Sequence, residues 1–215
     1  MIPRSIARAC LAPLALAGLA ACTSVLAPIL KPDVSTDVVN MEGGDWQLDP
    51  AHAALTFKID HLGYSTYVGR FERFDVQLSG EPDAPAEARG EGVVDMTSLD
   101  IANDDFADTL MGSDWFSAAN FPEARFQSTR ILITGPVTAD VEGILTLRGK
   151  NAPITLSVTF NGAGFDRLRN AQVAGFSATT DLDRTVFGIN RFSGLLTDKV
   201  HVEIEAELLK TSGVT

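Results

Sequence analysis

The sequence predicts an all-β protein, an eight-stranded antiparallel sheet closed into a tall barrel with one short helical insertion. Three observations lead there. Apolar and polar residues alternate with a period of two from Trp46 to near the C-terminus. The runs follow one another at hairpin spacing, with no strand–helix–strand rhythm. Several are about ten residues or more, longer than the ~5–6 of an ordinary strand. A sheet of about eight such strands either closes into a barrel or splits into a sandwich, and long strands favour the barrel. A closed barrel of this size can hold one small ligand.

The elements follow in order. Leu55, Phe57 and Ile59 alternate with Thr56, Lys58 and Asp60. Between Tyr67 and Leu78 the parity slips. Gly69 and Phe71 are odd, whereas Phe74, Val76 and Leu78 are even, which predicts a β-bulge near Glu72-Arg73. Gly90, Gly92, Val94 and Met96 form the next run. Asn103 to Asn120 breaks the pattern and reads as helical turns. Asn103 is the cap, Asp104 and Asp105 lie in the first turn, and Phe106, Leu110 and Trp115 stand at helical spacing. Runs from Phe126 to Ile133 and from Val137 to Leu147 flank the turn Thr134-Gly135-Pro136. Ile154 to Phe160 and Val173 to Leu182 follow, the latter with Ala174, Phe176 and Ala178 on one face. The last run is the cleanest: Val200, Val202, Ile204, Ala206 and Leu208 face one way, His201, Glu203, Glu205 and Glu207 the other.

Composition narrows the function. A hydrophobic fraction of 45% in 215 residues supports one ordinary core. The formal net charge of −11 and the lack of a Lys/Arg-rich run argue against nucleic acid and anionic membrane surfaces. Cys10 and Cys22 both precede the globular part, so the body has no disulfide framework, no cysteine metal cluster and no catalytic thiol. No Ser-His-Asp order, HExxH, Gly-rich phosphate loop or CxxC occurs.

The N-terminus reads as an address. Met1 to Arg8 carries two arginines and no acids, and Ala9 to Ala17 is small and apolar apart from Pro13. This is the pattern of a secretory signal, too short for a comfortable permanent span; a transmembrane anchor is the alternative. Leu19-Ala20-Ala21-Cys22 resembles the bacterial lipobox, which makes residues 1–21 a lipoprotein signal peptide and Cys22 the lipidated first mature residue. The alternative is cleavage near Ala21 with Cys22 left as a free thiol. Thr23 follows rather than Asp, which by resemblance favours the outer over the inner membrane of a periplasm-facing, lipid-anchored protein. Residues 22–44, with Pro28, Pro32, Gly43 and Gly44, read as a flexible tether, 45–210 as the barrel domain and 211–215 as a tail.

Several blocks together resemble the YceI-like polyisoprenoid-binding family. They are Trp46-Gln47-Leu48-Asp49 with His52 and Phe57, then His61-Leu62-Gly63 and Gly69-Arg70-Phe71. Asp114-Trp115-Phe116, Phe121-Pro122 and Phe126-Gln127-Ser128-Thr129 resemble its middle. Gly143 to Gly149, and Asp183-Arg184 with Phe187-Gly188-Ile189, resemble its later blocks. The resemblance covers about Trp46 to Leu208. It implies an extended lipocalin-like barrel with an apolar channel for a long isoprenoid, no metal, no cofactor beyond the bound lipid and no catalysis. Where many members place an Arg-Asp pair and a His ahead of the conserved Leu, this chain has Phe106, Ala107 and Thr109 before Leu110. A head group that relied on those charges would be recognised differently here.

The large inward apolar residues are the candidate channel lining: Phe57, Ile59, Phe71, Phe74, Phe126, Val141, Leu145, Phe160 and Phe176. Alternation alone favours a solidly packed core, and the resemblance reverses that for the set. Phe106, Leu110, Trp115 and Phe116 are candidates to gate or simply cap an open end. His61 shares parity with Phe57 and Ile59, so it either hydrogen-bonds a ligand head group or is a satisfied core histidine. His52, near Asp49, fits a turn or cap. His201 lies on the outer face, and Arg184 fits a structural hydrogen bond at a strand end. The expected function is non-catalytic carriage or storage of a polyprenyl or quinone-like lipid in the cell envelope. A quinone-linked enzyme or redox accessory, and a scaffold without ligand, stay open, as does a homodimer.

Overall fold

The computed structural model describes residues 30–211. The expected signal peptide, Cys22 and the last residues of the tail lie outside the described residues. The strands are β1 Gly44–His61, β2 Ser65–Phe71, β3 Phe74–Gly80, β4 Arg89–Asp95, β5 Leu99–Asp100, β6 Glu123–Ile133, β7 Thr138–Leu147, β8 Lys150–Asp166, β9 Ala171–Asp183 and β10 Lys199–Lys210. The helix α1 spans Asp104–Met111. Every ladder between these strands is antiparallel, and β10 pairs back onto β1 to close the cylinder.

Ten segments make an eight-stranded barrel because two of its strands are broken. β2 and β3 both pair with one edge of β1, β2 along Leu55–His61 and β3 along Gly44–Gln47. β4 and β5 pair in turn with β3 and β2. The bulge expected near Glu72-Arg73 is therefore a full interruption. Its cause is the neighbouring strand, where Asp95 caps a tight turn over Met96–Ser98. The Glu72 and Arg73 N–H groups donate to Ser98 O and Oγ, both at 3.0 Å, and Asp95 N–H donates to Arg73 O at 3.0 Å. The two breaks satisfy each other's backbone, as buried polar groups require. Met96, expected within a strand, is instead buried in that turn.

α1 forms where capping chemistry places it. Asn103 Oδ1 accepts from Phe106 N–H at 2.9 Å, and Asp104 and Asp105 face the positive end of the helix dipole. It ends at Met111, and the rest of the segment to Asn120 is tight turns rather than helix. Ala107 and Leu110 are buried against the barrel end. The β7–β8 hairpin turns on Arg148-Gly149, both at positive φ (52° and 69°), a pairing suited to strand twist. Arg148 then donates to Gly188 O and to Ser113 O (2.6 Å for the latter), tying the hairpin to the α1 end.

The segment expected to be a tether as far as Gly44 is docked from Asp33 onward. Ser35 makes a two-bond bridge with Ala163 of β8 (2.8 and 2.9 Å), and Val38 and Met41 pack on the apolar cluster around Trp46 and Leu208. Gly162 and Gly164 allow this: a side chain at either would overlap residues 33–35. Two cores result. One gathers Leu55, Phe57, Phe71, Leu110 and Phe187 towards the α1 end, and the other gathers Trp46, Leu48, Phe160 and Leu208 towards the opposite end.

Candidate ligand channel

A cavity of about 860 Å³ occupies the barrel. That lies towards the upper end of the ~300–1,000 Å³ usual for small-molecule sites. β1 contributes Phe57, Ile59 and His61 to its wall, while β2 and β3 contribute Phe71 and Phe74. Phe126 comes from β6, Val141 and Leu145 from β7, Phe160 from β8 and Phe176 from β9. Phe106 and Leu110 of α1, with Trp115 and Phe116 from the turn that follows, border it at one end. All the residues expected to line or cap the channel thus border the cavity, His61 only at its rim.

The lumen stays open because of where the glycines fall, a feature the alternation pattern did not reveal. Phe57 stands opposite Gly69, and a methyl group at Gly69 would overlap the Phe57 ring. Phe126 likewise lies over Gly143. These rings lie against bare backbone on the next strand instead of reaching the axis. On β4, Gly92 and Gly90 pair with the inward residues Val76 and Leu78 and so face the lumen. A Cβ at Gly90 would have nothing within 4 Å, and one at Gly92 would have its first neighbours at 3.9 Å. That stretch of wall carries no side chain at all.

Thr180 of β9 borders the cavity between Ala178 and Leu182, whereas the charged and imidazole groups lie at its ends or on the outside. His61 has the inward parity expected of it, but as the last residue of β1 it is exposed at the rim, its ring 6.4 Å from Tyr67. It does not reach into the channel. Arg184 is 4% exposed and borders the cavity, yet its guanidinium is committed to the β9–β10 connection. Nη1 donates to Ile189 O (2.6 Å) and Arg191 O (2.9 Å), and Nε to Thr197 O (3.2 Å). Nη2 lies 2.7 Å from Asp198 Oδ1, an ion pair whose atoms are off the line of a hydrogen bond. His201 bonds Asp181 at 2.8 Å on the outer face.

A second polar group escaped the sequence reading apart from its first pair. His52 Nδ1 lies 2.8 Å from Asp49 Oδ2 within the irregular stretch of β1. Arg169, from the β8–β9 turn, donates to Asp49 (3.0 Å), Asp166 (2.8 Å) and Glu207 (2.6 Å). Burial works to raise the Asp49 carboxyl, but hydrogen bonds from His52, Ala51 N–H and Arg169 outweigh it and hold it below the usual carboxylate range. Arg169 is itself made a weaker acid: burial opposes its charge, and the three carboxylates more than compensate. None of these five residues borders the channel; they fasten the long β8–β9 hairpin to β1 and β10.

The model of the YceI-like domain matches residues 46–208. The chain belongs to the YceI-like family. A UPF0312 protein of Vibrio cholerae serotype O1 is 37% identical over 155 residues, covering 71% of this chain and 82% of the relative. A UPF0312 protein of Pseudomonas putida strain W619 is 35% identical over 159 residues, covering 74% and 82%. Among solved structures, Burkholderia cenocepacia BcnA superposes with a TM-score of 0.67 at 24% identity, covering 76% of this chain and 99% of that one. A polyisoprenoid binding domain from Saccharophagus degradans, implicated in plant cell wall breakdown, superposes with a TM-score of 0.58 at 15% identity, covering 79% and 100%. These YceI-like neighbours share the closed barrel, and none of these relatives or neighbours bears a catalytic name. Within the family frame, Phe106 and Ala107 stand where the resemblance places charges; Phe106 packs edge-on to Tyr67, 6.0 Å between ring centres, and Ala107 is buried.

Proposed function

We propose that this YceI-like barrel binds one long, neutral isoprenoid lipid, polyprenyl or quinone-like, and carries or stores it in the cell envelope without chemical turnover. The observation that carries the reading is the apolar lumen of about 860 Å³, kept open by glycines. The shared fold with a domain named for polyisoprenoid binding supports it. A 150 Å³ apolar cavity accommodates the six carbons of benzene, so at that density this lumen takes at most about 35 carbons, roughly seven isoprene units. Each five-carbon unit contributes roughly 3–4 kcal/mol gross on burial. Association and chain ordering oppose this by ~4–15 kcal/mol or more, so a handful of buried units suffices for tight binding. No free cation lines the lumen wall described above, and Arg184 is already paired, so a neutral head group suits the site better than a pyrophosphate.

Protein purified from cells should yield a prenyl lipid in near-stoichiometric amount on organic extraction and mass spectrometry. Repeated absence of any lipid would favour a ligand-free scaffold. His61→Ala should alter occupancy at most, leaving the lipid chemically unchanged; a change in its redox state would favour an enzymatic role. The envelope assignment rests on the leader sequence, and Cys22→Ser should release the protein from membranes if the lipobox reading holds.

A further inference from the structure

Leu62, Phe106, Phe192 and Leu195 belong to the channel wall and to the protein surface at once. They border the cavity, yet they are 42, 39, 50 and 65% exposed. They come from three separate segments: the β1–β2 turn, α1 and the β9–β10 connection. Tyr64, in the same turn as Leu62, is 88% exposed, and Trp115 lies 6.2 Å from the Phe192 ring. Large apolar side chains so placed form a greasy lip around an opening, with aromatic groups of the kind that settle at a lipid–water boundary. Around the lip stand exposed acids, Asp60, Asp104, Asp105, Asp108 and Asp114. Arg191 also lies at this lip, stacked on Phe192 at 4.8 Å and 3.5 Å from Asp114.

We propose that this mouth seats on the surface of a zwitterionic lipid bilayer, with the lip entering the interface so that a prenyl chain passes between bilayer and channel without crossing water. The proposal rests on the carrier reading above and deepens it by naming the loading surface. An apolar tail that left through solvent would expose its whole length, whereas a lip continuous with both bilayer and lumen keeps it covered throughout. The acidic collar sets the membrane's chemistry: anionic head groups are repelled and neutral ones accepted.

The two tryptophans make the test direct, because they mark opposite ends. Trp115 stands at the lip, and Trp46 is 2% exposed in the core at the far end. The full chain carrying Cys22→Ser, so that no acyl anchor contributes, is mixed with phosphatidylcholine vesicles whose acyl chains are brominated. Comparing Trp46→Phe with Trp115→Phe reports each end separately. Quenching of Trp115 and not of Trp46 is expected, weakened when phosphatidylglycerol is mixed in and partly restored by salt. Tyr64→Asp changes a residue of the lip that is 88% exposed and does not border the cavity, and should lower vesicle partition at least about tenfold, equivalent to ~1.4 kcal/mol. Uptake of a polyprenyl quinone from detergent should be unchanged in that variant.

Quenching of neither tryptophan, quenching of both alike, or tighter binding to anionic vesicles would overturn the proposal. So would a dimer that shields Trp115 in solution. If the protein takes up prenyl lipid from detergent but never docks, the loading surface is wrong and carriage stands. If it docks but takes up no prenyl lipid from any source, the carrier reading itself fails and the transfer proposal falls with it.

Discussion

Gly90→Phe puts the open lumen to its sharpest test. A Cβ at Gly90 meets nothing within 4 Å, and its pairing with Leu78 points the new side chain inward. A benzyl group adds seven carbons. At the density of benzene in a 150 Å³ cavity this is ~175 Å³, about a fifth of the lumen. Displacing seven ligand carbons at ~0.8 kcal/mol each removes ~5–6 kcal/mol of gross burial. Sliding of the chain along the channel recovers part, so affinity for a polyprenyl quinone should fall at least ~100-fold, equivalent to ~2.7 kcal/mol. Stability should move the other way. Glycine is a poor strand residue and phenylalanine a good one, a difference of up to ~1 kcal/mol, which would raise Tm by ~2–4 °C in a domain of this size. Titration by tryptophan quenching and thermal unfolding of the ligand-free protein measure the two effects. Affinity unchanged within a few-fold, or a fall in Tm of several degrees, would refute the claim that β4 faces empty space.

Other perturbations follow from the same geometry. Gly69→Ala should destabilise the fold by ~1–3 kcal/mol, because the added methyl overlaps the Phe57 ring and Ile101; an unchanged denaturant midpoint would show that the ring does not lie there. Asn103→Ala removes the cap of α1 and should lower stability by ~0.5–2 kcal/mol, with faster amide exchange confined to the α1 end. Acid should destabilise the protein through Asp49 and Asp166, whose folded carboxyls lie below the ordinary aspartate value of 3.8. Such groups contribute stability above that value and lose it as pH falls towards and below it. Arg169→Met should therefore flatten the acid limb of a denaturant-midpoint profile, and an unaltered limb would mean the network does not persist in solution.

Much of the fold was legible because a half-buried strand writes its own period. β10 and β1 announced their faces residue by residue, and Asn103 with its two acids announced α1. The aromatic lining was legible as a set for the same reason, since inward parity is all that wall membership requires. Three things were not. The break at Glu72-Arg73 depends on Ser98 and Asp95 across the sheet, so locally it shows only as a parity slip. The docking of residues 33–41 depends on Gly162 and Gly164, more than a hundred residues downstream. The Arg169 network joins residues from β1, the β8–β9 turn and β10, and no spacing rule links such distant positions. His61 shows the remaining limit: parity gave the side of the strand but not the depth along the barrel, which here decides rim against interior.

The hollow lumen also bears on how such a protein can be stable. Filling an apolar cavity is worth about 24 cal/mol per Å³ in core-truncation series, so a void of ~860 Å³ forgoes on the order of 20 kcal/mol relative to a packed core. That exceeds the ~5–15 kcal/mol net stability of an ordinary domain. The barrel tolerates it by satisfying its backbone around a closed ladder and placing buried apolar clusters at its two ends. A ligand that binds only the folded state then adds stability by mass action, ~2.7 kcal/mol at a hundredfold excess over Kd. Delipidated protein should accordingly unfold at a lower temperature than protein loaded with a prenyl lipid, and the gap should widen with lipid concentration. Equal unfolding temperatures in the two states, measured with a lipid shown to be present, would mean that the lipid is held outside the lumen.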